Sequence, residues 1–501
     1  MKEKVFSLAL AVLLVMAAAA AAAMGTPEYW PGERWRTSTP EAQGFSSAEL
    51  AKAFDFISEK QVNIHSVLVV RHGYLVLEAY FYPCGSQDLH DICSCTKSVS
   101  STLVGIAMEK GKIRSVKEPL ADLFPGRRLQ NDDPRKSRIT LEHILSMSSG
   151  MNYPLLGEPR LAPMRAAPDM VQFILDLPMV AEPGTVFGYN SGGSHLLSAL
   201  VTLRTGQTAS EFARQNLFDP LGISAFSWPT DDQGNSVGWG DLKLRSPDMA
   251  RIGYLFLKKG RWNGKQVVSQ RWVEEATRKH IDAPGAAGYG YQWWLRDDPP
   301  RFEALGRAGQ RITVIPALDT VVVFTGGGYE PGDIGAFIGG ALRSDRPLPE
   351  DPSGYAMLQE KIAAAAKPPA PRQVPPLPAM ATEISGRHYM LEKNNLGLVS
   401  IGFTFDGADT ALLDLRLADR RESRPVGLDG VYRVSRTSPE GQPVAVKGEW
   451  ISETELGFTY NEFTEVHNRF ARAAFTGDGI TLRVSDPYDD LDMTIRGRAG
   501  E

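Results

Sequence analysis

A proline- and alanine-rich stretch divides this chain into two unequal parts. It runs from Ala363 to Pro378 with the sequence AAAAKPPAPRQVPPLP. Because proline has no backbone N–H, such a stretch cannot join a β-ladder and tends toward the polyproline II conformation. The chain has 501 residues, which is too many for one hydrophobic core. We therefore predict that residues 363–379 form a linker between two domains.

The part before the linker shows both helical and strand patterns. Residues 46–60 begin with a Ser-Ser-Ala-Glu capping pattern and continue with helical spacing. Residues 66–70 and 74–80 are β-rich runs joined by Arg71-His72-Gly73, which indicates a hairpin. Further helices are predicted at 141–147, 169–177, 194–203, 210–217, 246–259 and 269–279, and further strands at 289–295, 312–315 and 320–325. This mixture predicts an α+β domain over residues 24–362, with helices packed against an antiparallel sheet.

The part after the linker has a different pattern. Short β-rich runs alternate with glycine turns, at 399–405, 411–417, 431–435, 444–450, 456–460 and 480–484. This pattern predicts an all-β domain over residues 380–501, either a small barrel or a sandwich. The domain carries no chemical motif, so three roles stay open: covering a cleft, binding a ligand or mediating assembly.

Residues 1–23 have the composition of an export signal. Lys2 and Lys4 precede an apolar run that grades into the alanine tract 17–23. We predict a signal peptide that is cleaved, with the mature protein periplasmic or secreted and not stably inserted in the membrane. An uncleaved N-terminal anchor is the alternative, because the run is close to the length that spans a bilayer.

The charge and the cysteines limit the partners. A formal net charge of -5 gives no broad basic surface, so we predict no nucleic-acid partner. Two interpretations of Cys84, Cys93 and Cys95 stay open: a bridge from Cys84 to one of the other two, or small buried hydrophobic residues. Two cysteines without a histidine cluster do not make a metal site. The sequence therefore predicts no metal and no cofactor.

Ser94 and Lys97 form the only Ser-x-x-Lys pattern in the chain. Apolar residues at helical spacing follow, and Gly111 stands where a helix C-cap glycine belongs. Residues three apart share a helix face, so both side chains point into the same space. A serine becomes a nucleophile when a base takes its proton, and a lysine is such a base when burial or nearby cations lower its pKa. The pair predicts an acylating centre. The alternative is that this four-residue pattern is only a polar helix start with a solvated lysine.

Two other segments offer partners for this serine. The glycine-containing loop 183–191 brings the phenol of Tyr189 toward a cleft, where it can exchange protons with the serine or a leaving group. Its alternative is a core tyrosine whose hydroxyl bonds to the backbone. Residues 304–310 (ALGRAGQ) enter a β-run, and their small residues allow a backbone N–H to approach a ligand. Together with the Ser94 N–H, one such group would form an oxyanion hole.

The three segments, in this order, resemble the motifs of the serine β-lactamase and penicillin-binding-protein superfamily. The likeness covers about residues 40–345 and is strongest to class C β-lactamase-like hydrolases, including esterases and 6-aminohexanoate-dimer hydrolases. It extends to LEHILSMSSG at 141–150, SPDMARIG at 246–253, WNG at 262–264 and GYGYQWW at 288–294. The resemblance implies an antiparallel sheet flanked by helices plus an all-helical subdomain.

The resemblance also implies roles for individual residues. Ser94 would be the nucleophile, Lys97 the activating base and Tyr189 the proton-transfer residue. The substrate would contact these residues: Asn190, Ser191, Gly306, Arg307 and Ala308. His143 and His195 are interpreted as structural, because this mechanism requires no histidine.

This sequence departs from the superfamily pattern in two places. Tyr189 is followed by Asn190 and then Ser191, whereas Tyr-x-Asn is usual, and the third motif has no Lys or His before its small residues. The cation that engages a β-lactam carboxylate is therefore missing or replaced by Arg307. We expect an exported serine hydrolase acting on a small ester or amide. A β-lactamase or penicillin-binding D,D-carboxypeptidase, acting on β-lactams or cell-wall peptides, is one alternative. A catalytically silent binding protein of the same fold is the other, and the oligomeric state stays open.

Overall fold

The computed structural model describes residues 29–32, 34–128, 130, 133–151, 161–436, 443–466, 468–486 and 491–500. The predicted signal segment, 1–23, lies outside the described residues. Within the described ranges no helix is both long and apolar enough to cross a membrane.

An antiparallel sheet of seven strands organises the first domain. The strands of this domain are β1 (Ile64–Arg71), β2 (Tyr74–Tyr80), β3 (His90–Asp91), β4 (Lys243–Leu244), β5 (Arg261–Trp262), β6 (Lys265–Gln266), β7 (Gly288–Tyr289), β8 (Trp294–Asp297), β9 (Pro300–Gly306), β10 (Gln310–Ile315) and β11 (Thr320–Gly326). The order in the sheet is β2-β1-β11-β10-β9-β8-β7, and every neighbouring pair is antiparallel. Strands β1 and β11 are buried along their whole length, which requires that both faces of the sheet are covered.

Helices cover both faces of this sheet. The helices of the domain are α1 (Ser47–Glu59), α2 (Cys95–Glu109), α3 (Leu120–Leu123), α4 (Leu141–Leu145), α5 (Leu161–Arg165), α6 (Met170–Leu175), α7 (Ser191–Thr205), α8 (Ala209–Ala213), α9 (Asp219–Leu221), α10 (Ser246–Leu257), α11 (Gln270–Ala276), α12 (Gly332–Ala341) and α13 (Pro352–Ala365). Helices α1, α12 and α13 share one apolar cluster with the sheet, and α2 and α10 belong to the cluster on the other face. Helices α3 to α9 follow α2 in the chain and form the helical subdomain, as the resemblance implies.

Helix α2, which carries the predicted nucleophile, is the most deeply enclosed helix of the domain. Thirteen of its fifteen residues are buried, including both apolar and hydroxyl side chains. A helix buried on all sides lies between layers rather than on the surface. It packs between the sheet at β9 and the helical subdomain at α7, so it fixes the junction of the two parts.

Most of the predicted elements of this domain are confirmed. Ser46 caps α1 by accepting from the Glu49 N–H, and His72-Gly73 forms the hairpin turn. Gly111 has a φ of 69°, as expected of a residue that ends a helix. The single strand predicted at 289–295 is wrong, because Gly288–Tyr289 and Trp294–Asp297 form two paired strands. The positive φ of Gln292 reverses the chain between them.

The second domain is a closed β-barrel. Its elements are α14 (Ala379–Ile384), β12 (Arg387–Leu391), β13 (Leu398–Phe405), β14 (Thr410–Leu417), β15 (Arg421–Gly427), β16 (Arg433–Ser435), β17 (Val444–Ser452), β18 (Glu455–Asn461), β19 (Asn468–Thr476), β20 (Gly479–Asp486) and β21 (Leu491–Ala499). The ten-stranded sheet closes because β15 also pairs with β17, at Gly427 and Lys447. Of the two predicted alternatives, the barrel is therefore confirmed over the sandwich.

The linker and four of the barrel strands differ from the sequence prediction. Strands β12, β15, β19 and β21 were not predicted. The side chains of β12, β15 and β19 do not alternate cleanly between apolar and polar, and Pro425 lies inside β15. Strand β21 was missed although its sequence, LDMTIRGRA, does alternate. Helix α13 extends into the predicted linker as far as Ala365. Beyond it, Val374 and Leu377 pack against the barrel, so the linker is held on the second domain.

A pair of glycine substitutions tests the packing of α2. A Cβ at Gly105 would lie 2.4 Å from the Trp272 ring, whereas one at Gly335 in α12 would meet no atom within 4 Å. Gly105→Ala should lower the free energy of unfolding by about 1–3 kcal/mol through overpacking. Gly335→Ala should raise it by about 0.5–1 kcal/mol, because alanine is the better helix former. Urea unfolding measures both, and a shift of the same sign in both variants would contradict this packing.

Candidate active site

Ser94 lies at the start of α2, directly after a strained turn. It is the N-cap residue of the helix and is half-buried. Cys93 before it has a φ of 48°, a conformation that residues other than glycine seldom adopt. The Cys93 N–H donates to Asp91 Oδ1 at 2.7 Å, which holds the turn in place. Such strain persists only where the surroundings fix it, and it is common at functional sites.

Lys97 points back from the first turn of α2 toward the serine. Its side chain is buried, and Nζ donates to Ser94 Oγ at 2.7 Å. Nζ also donates to the Trp239 carbonyl at 3.1 Å. The sequence prediction that both side chains enter the same space is therefore confirmed. The lysine is not solvated, because its amine is enclosed between helix α2 and the Trp239 segment.

Tyr189 stands on the other side of the lysine amine. Lys97 Nζ lies 4.8 Å from the centroid of the Tyr189 ring, and the ring stacks on Trp294 at 6.0 Å. Among the described residues, no group forms a hydrogen bond with the Tyr189 hydroxyl or accepts from the Ser94 N–H. A phenol held by its ring, with its hydroxyl unengaged, suits a group that exchanges protons with a substrate.

The third predicted segment meets the nucleophile turn, but only part of it is a strand. Gly306 ends β9, and residues 307–309 form a short 3₁₀ turn before β10. The β-run that residues 304–310 were predicted to enter is therefore interrupted at residues 307–309, because Ala308 has a φ of 64° and turns the chain. A Cβ at Gly306 would lie 2.5 Å from the Ile92 carbonyl oxygen, so only glycine allows this close approach.

The residues predicted to contact substrate divide into two groups. Ser191, Gly306 and Arg307 line the cavity in front of Ser94. Asn190 is instead buried at the start of α7, where its Oδ1 accepts from the Gly193 N–H at 2.8 Å. Because this cap starts the helix at residue 191, the predicted start at 194 is too late. Ala308 packs against Cys93 and Val466 beneath the cavity wall.

The cavity at Ser94 has a volume of about 920 Å³, and several of its residues were not predicted. Trp239 lines it, and its segment passes close over α7 because a Cβ at Gly238 would lie 2.3 Å from the Ser194 carbonyl. A tryptophan between two glycines is the local signal that would have pointed to it. Charged residues from distant segments also line the cavity, namely Asp91, Arg165, Asp241 and Lys243.

The second domain forms one wall of this cavity. The barrel loop, residues 462–466 between β18 and β19, contributes Glu462, Glu465 and Val466 to the lining. The Asp91 N–H donates to the Thr464 carbonyl at 2.8 Å, and Lys243 pairs with Glu465. The cavity is therefore built from both domains, which sequence motifs do not reveal.

A group of carboxylates surrounds the nucleophile turn. Burial raises the pKa of Asp91 to about 7, and the negative charges of Glu465 and Asp241 act in the same direction. The hydrogen bond from Cys93 and the charge of Lys243 oppose this rise. Near neutral pH the Asp91 carboxyl is therefore divided between its protonated and ionised forms. The carboxyl can accept the hydrogen bond from the Cys93 N–H in either form.

The cysteines and the two histidines are accounted for by packing. All three cysteines are free, and Cys93 and Cys95 are buried. Cys84 therefore forms no bridge to either of them in this structure. His195 Nε2 lies 2.9 Å from Asp231 Oδ2 in the core. His143 Nδ1 accepts from the Thr140 N–H at 3.2 Å and caps α4.

The raised pKa of Asp91 predicts a pH-dependent stability. The folded state holds the Asp91 proton more tightly than the unfolded chain does. Protonation of Asp91 therefore stabilises the fold at low pH, and this contribution is lost as pH rises toward 7. Asp91→Asn keeps the acceptor without the charge. From pH 5 to pH 8 the variant should gain up to about 3 kcal/mol of unfolding free energy relative to the wild type.

Urea unfolding of both proteins at the two pH values provides the measurement. Asp133→Asn is the control, because hydrogen bonds from the Arg135 side chain and backbone N–H hold the pKa of Asp133 at about 2, and arginine does not titrate in this pH range. Its difference from the wild type should therefore stay constant between pH 5 and pH 8. A constant difference for Asp91→Asn as well would contradict the raised pKa of Asp91.

The comparison with protein families identifies the class of this chain. Residues 55–333 match the family model described as Beta-lactamase, which is more than half of the chain. The chain belongs to this beta-lactamase family of serine hydrolases, as the resemblance of its motifs predicts.

Individual relatives share parts of the chain. The 6-aminohexanoate-dimer hydrolase of Paenarthrobacter ureafaciens is 25% identical over 278 residues, covering 51% of this chain and 70% of that protein. The lovastatin esterase of Penicillium rubens is 35% identical over 126 residues, covering 24% of this chain but only 30% of that protein. The structure of EstCE1, a hydrolase with promiscuous acyltransferase activity, has a TM-score of 0.50 at 15% identity. It covers 60% of this chain and 99% of that one.

Proposed function

We propose that this protein is a serine hydrolase that cleaves a small ester or amide through an acyl-enzyme on Ser94. The observation that carries the proposal is the 2.7 Å hydrogen bond between Lys97 Nζ and Ser94 Oγ at the wall of an open cavity. Membership of the beta-lactamase family supports it. So do the names of two relatives, a dimer hydrolase and an esterase.

The proposed reaction has two steps. Lys97 Nζ takes the Ser94 proton as Ser94 Oγ attacks the carbonyl carbon of the substrate. The Ser94 N–H and an N–H of residues 306–308 stabilise the oxyanion, each donor contributing about 10²–10³ in rate. The Tyr189 hydroxyl gives a proton to the leaving group. Water then attacks the acyl carbonyl and gives a proton to the Tyr189 oxygen, and Lys97 returns its proton to Ser94 Oγ as the acid is released. General acid–base catalysis of this kind contributes about 10²–10⁴ in rate.

The third segment favours an ester or amide over a β-lactam. Where the superfamily carries a Lys or His before the small residues of this motif, this chain has Leu305-Gly306. Arg307 is the nearest cation in that segment; it lines the cavity, but it lies on the turn after β9 rather than on the strand. A β-lactam carboxylate would therefore lack the strand cation that the resemblance leads one to expect. Export of the enzyme, from residues 1–23, stays a prediction.

Loss of the nucleophile is the first test. Ser94→Ala should lower the hydrolysis of p-nitrophenyl esters to background while the protein stays folded, because the Lys97 amine keeps the Trp239 carbonyl as an acceptor. Ser101→Ala is a matched control, because Ser101 lies buried in the same helix and its hydroxyl has no hydrogen-bond partner among the described residues. That variant should retain wild-type turnover. Undiminished turnover by Ser94→Ala would disprove the assignment.

Removal of the phenol hydroxyl is the second test. Tyr189→Phe keeps the ring stacked on Trp294 but removes the proton donor. We expect kcat to fall by about 10²–10⁴ for a substrate with a poor leaving group, such as an alkyl ester. The loss should be smaller for a p-nitrophenyl ester, whose leaving group needs no protonation. Equal losses for both esters would mean that Tyr189 acts in another way.

A fluorescent penicillin distinguishes the rival functions. A D,D-carboxypeptidase would be labelled and would release the label slowly, and a β-lactamase would hydrolyse the penicillin rapidly. The proposed ester or amide hydrolase should react with a fluorophosphonate at Ser94 and only poorly with the penicillin. Labelling by neither reagent would favour a catalytically silent binding protein.

A further inference from the structure

The barrel is filled at one end and hollow at the other. A cavity of about 360 Å³ lies in its interior, lined mainly by apolar side chains, including Leu398, Ile401, Phe458, Leu482 and Val484. Small-molecule sites in proteins occupy about 300–1,000 Å³, so this volume is enough for a ligand. A closed barrel of this strand number leaves such space wherever side chains do not fill it.

The strand register shows which end is hollow. Lining residues lie at the start of β13 and β19 and at the end of β14, β18 and β20, which is the same end of an antiparallel barrel. At the opposite end, aromatic rings fill the interior: Phe475 lies 5.6 Å from Tyr389 and 6.0 Å from Phe403. The barrel loop, residues 462–466, joins β18 to β19 and therefore belongs to the hollow end.

The hollow end adjoins the cavity of Ser94. Glu462, the first residue of the barrel loop, and Arg469, near the start of β19, line both cavities. Their side chains form an ion pair at 3.1 Å. Between them, Glu465 and Val466 face the Ser94 cavity, and Val466 packs against Cys93 of the nucleophile turn. This ion pair is thus the boundary between the catalytic cavity and the barrel interior.

The chemistry of the barrel cavity suits an uncharged, apolar group. Its charged side chains bind each other: Arg420 Nε donates to Glu422 Oε1 at 2.6 Å, and the Tyr460 hydroxyl donates to Glu422 Oε2 at 2.8 Å. Apart from Asn395 and the Glu462–Arg469 pair, the remaining lining is aliphatic or aromatic. Each CH₂ group buried in such surroundings contributes about 0.8 kcal/mol, so a hydrocarbon chain is the ligand that gains most.

We infer that the barrel interior holds the hydrocarbon chain of the substrate while its scissile carbonyl lies at Ser94. The chain passes from the catalytic cavity beside the Glu462–Arg469 pair. This inference rests on the proposed function and narrows it: the preferred substrates are esters or amides with a long alkyl chain. The barrel is then a specificity element of the hydrolase rather than an independent module.

A chain-length series tests the inference with the full protein. We expect kcat/KM of the wild type to rise about tenfold or more from p-nitrophenyl acetate to the decanoate, through burial of the added CH₂ groups. Ala471→Leu places extra atoms in the barrel cavity and should abolish this rise, so that kcat/KM no longer increases from the acetate to the decanoate. Ala474→Leu is the matched control, since Ala474 lies on the same strand three residues away and is absent from the cavity lining.

A binding measurement separates this inference from the proposed function. The Ser94→Ala protein should bind cis-parinaric acid, decanoate should displace it, and Ala471→Leu in the same background should weaken binding about tenfold. If Ala471→Leu weakens the binding of cis-parinaric acid but the wild type hydrolyses no ester, the barrel site is supported and the proposed function is contradicted. Hydrolysis without chain-length preference, or cis-parinaric acid binding that Ala471→Leu leaves unchanged, would overturn the inference. Thermal unfolding confirms that each variant is folded.

Discussion

The rest of the site depends on the two hydrogen bonds of the Lys97 amine. Burying such a polar group is costly unless its hydrogens find acceptors, and here Nζ reaches Ser94 Oγ and the Trp239 carbonyl. The second acceptor lies 142 residues away in the sequence. Gly238 allows its segment to pass close over α7. Helix α2 can therefore carry a lysine into the interior only because the segment between α9 and β4 supplies that carbonyl.

The remaining walls of the site come from elements that are far apart in the chain. Gly306 lets β9 approach the Ile92 carbonyl, and the barrel loop binds the Asp91 N–H through the Thr464 carbonyl. Asp91 thus contacts the second domain through its backbone and the turn before Ser94 through its side chain. This coupling gives the barrel a direct way to influence the geometry of the nucleophile turn, beyond its contribution to the cavity wall.

The sequence predicts the parts of the site that depend on local pattern. The Ser94–Lys97 spacing, the cap at Ser46 and the hairpin at His72-Gly73 each lie within a few residues, and the structure confirms them. Residues that meet only through folding were missed, including Trp239, Glu465 and the barrel loop. Strand β19 escaped prediction because Arg469, Arg472 and several alanines obscure its alternation, although its register with β18 and β20 is regular.

The acyl-enzyme on Ser94 is the central claim, and mass spectrometry tests it most directly. The protein would be incubated with a panel of esters, short amides and a penicillin, quenched in acid, digested and mapped. The proposed mechanism predicts that the acyl group of a hydrolysed ester or amide is found on the peptide containing Ser94, and on the serine itself. An acyl adduct at another residue, with Ser94 unmodified during turnover, would contradict it.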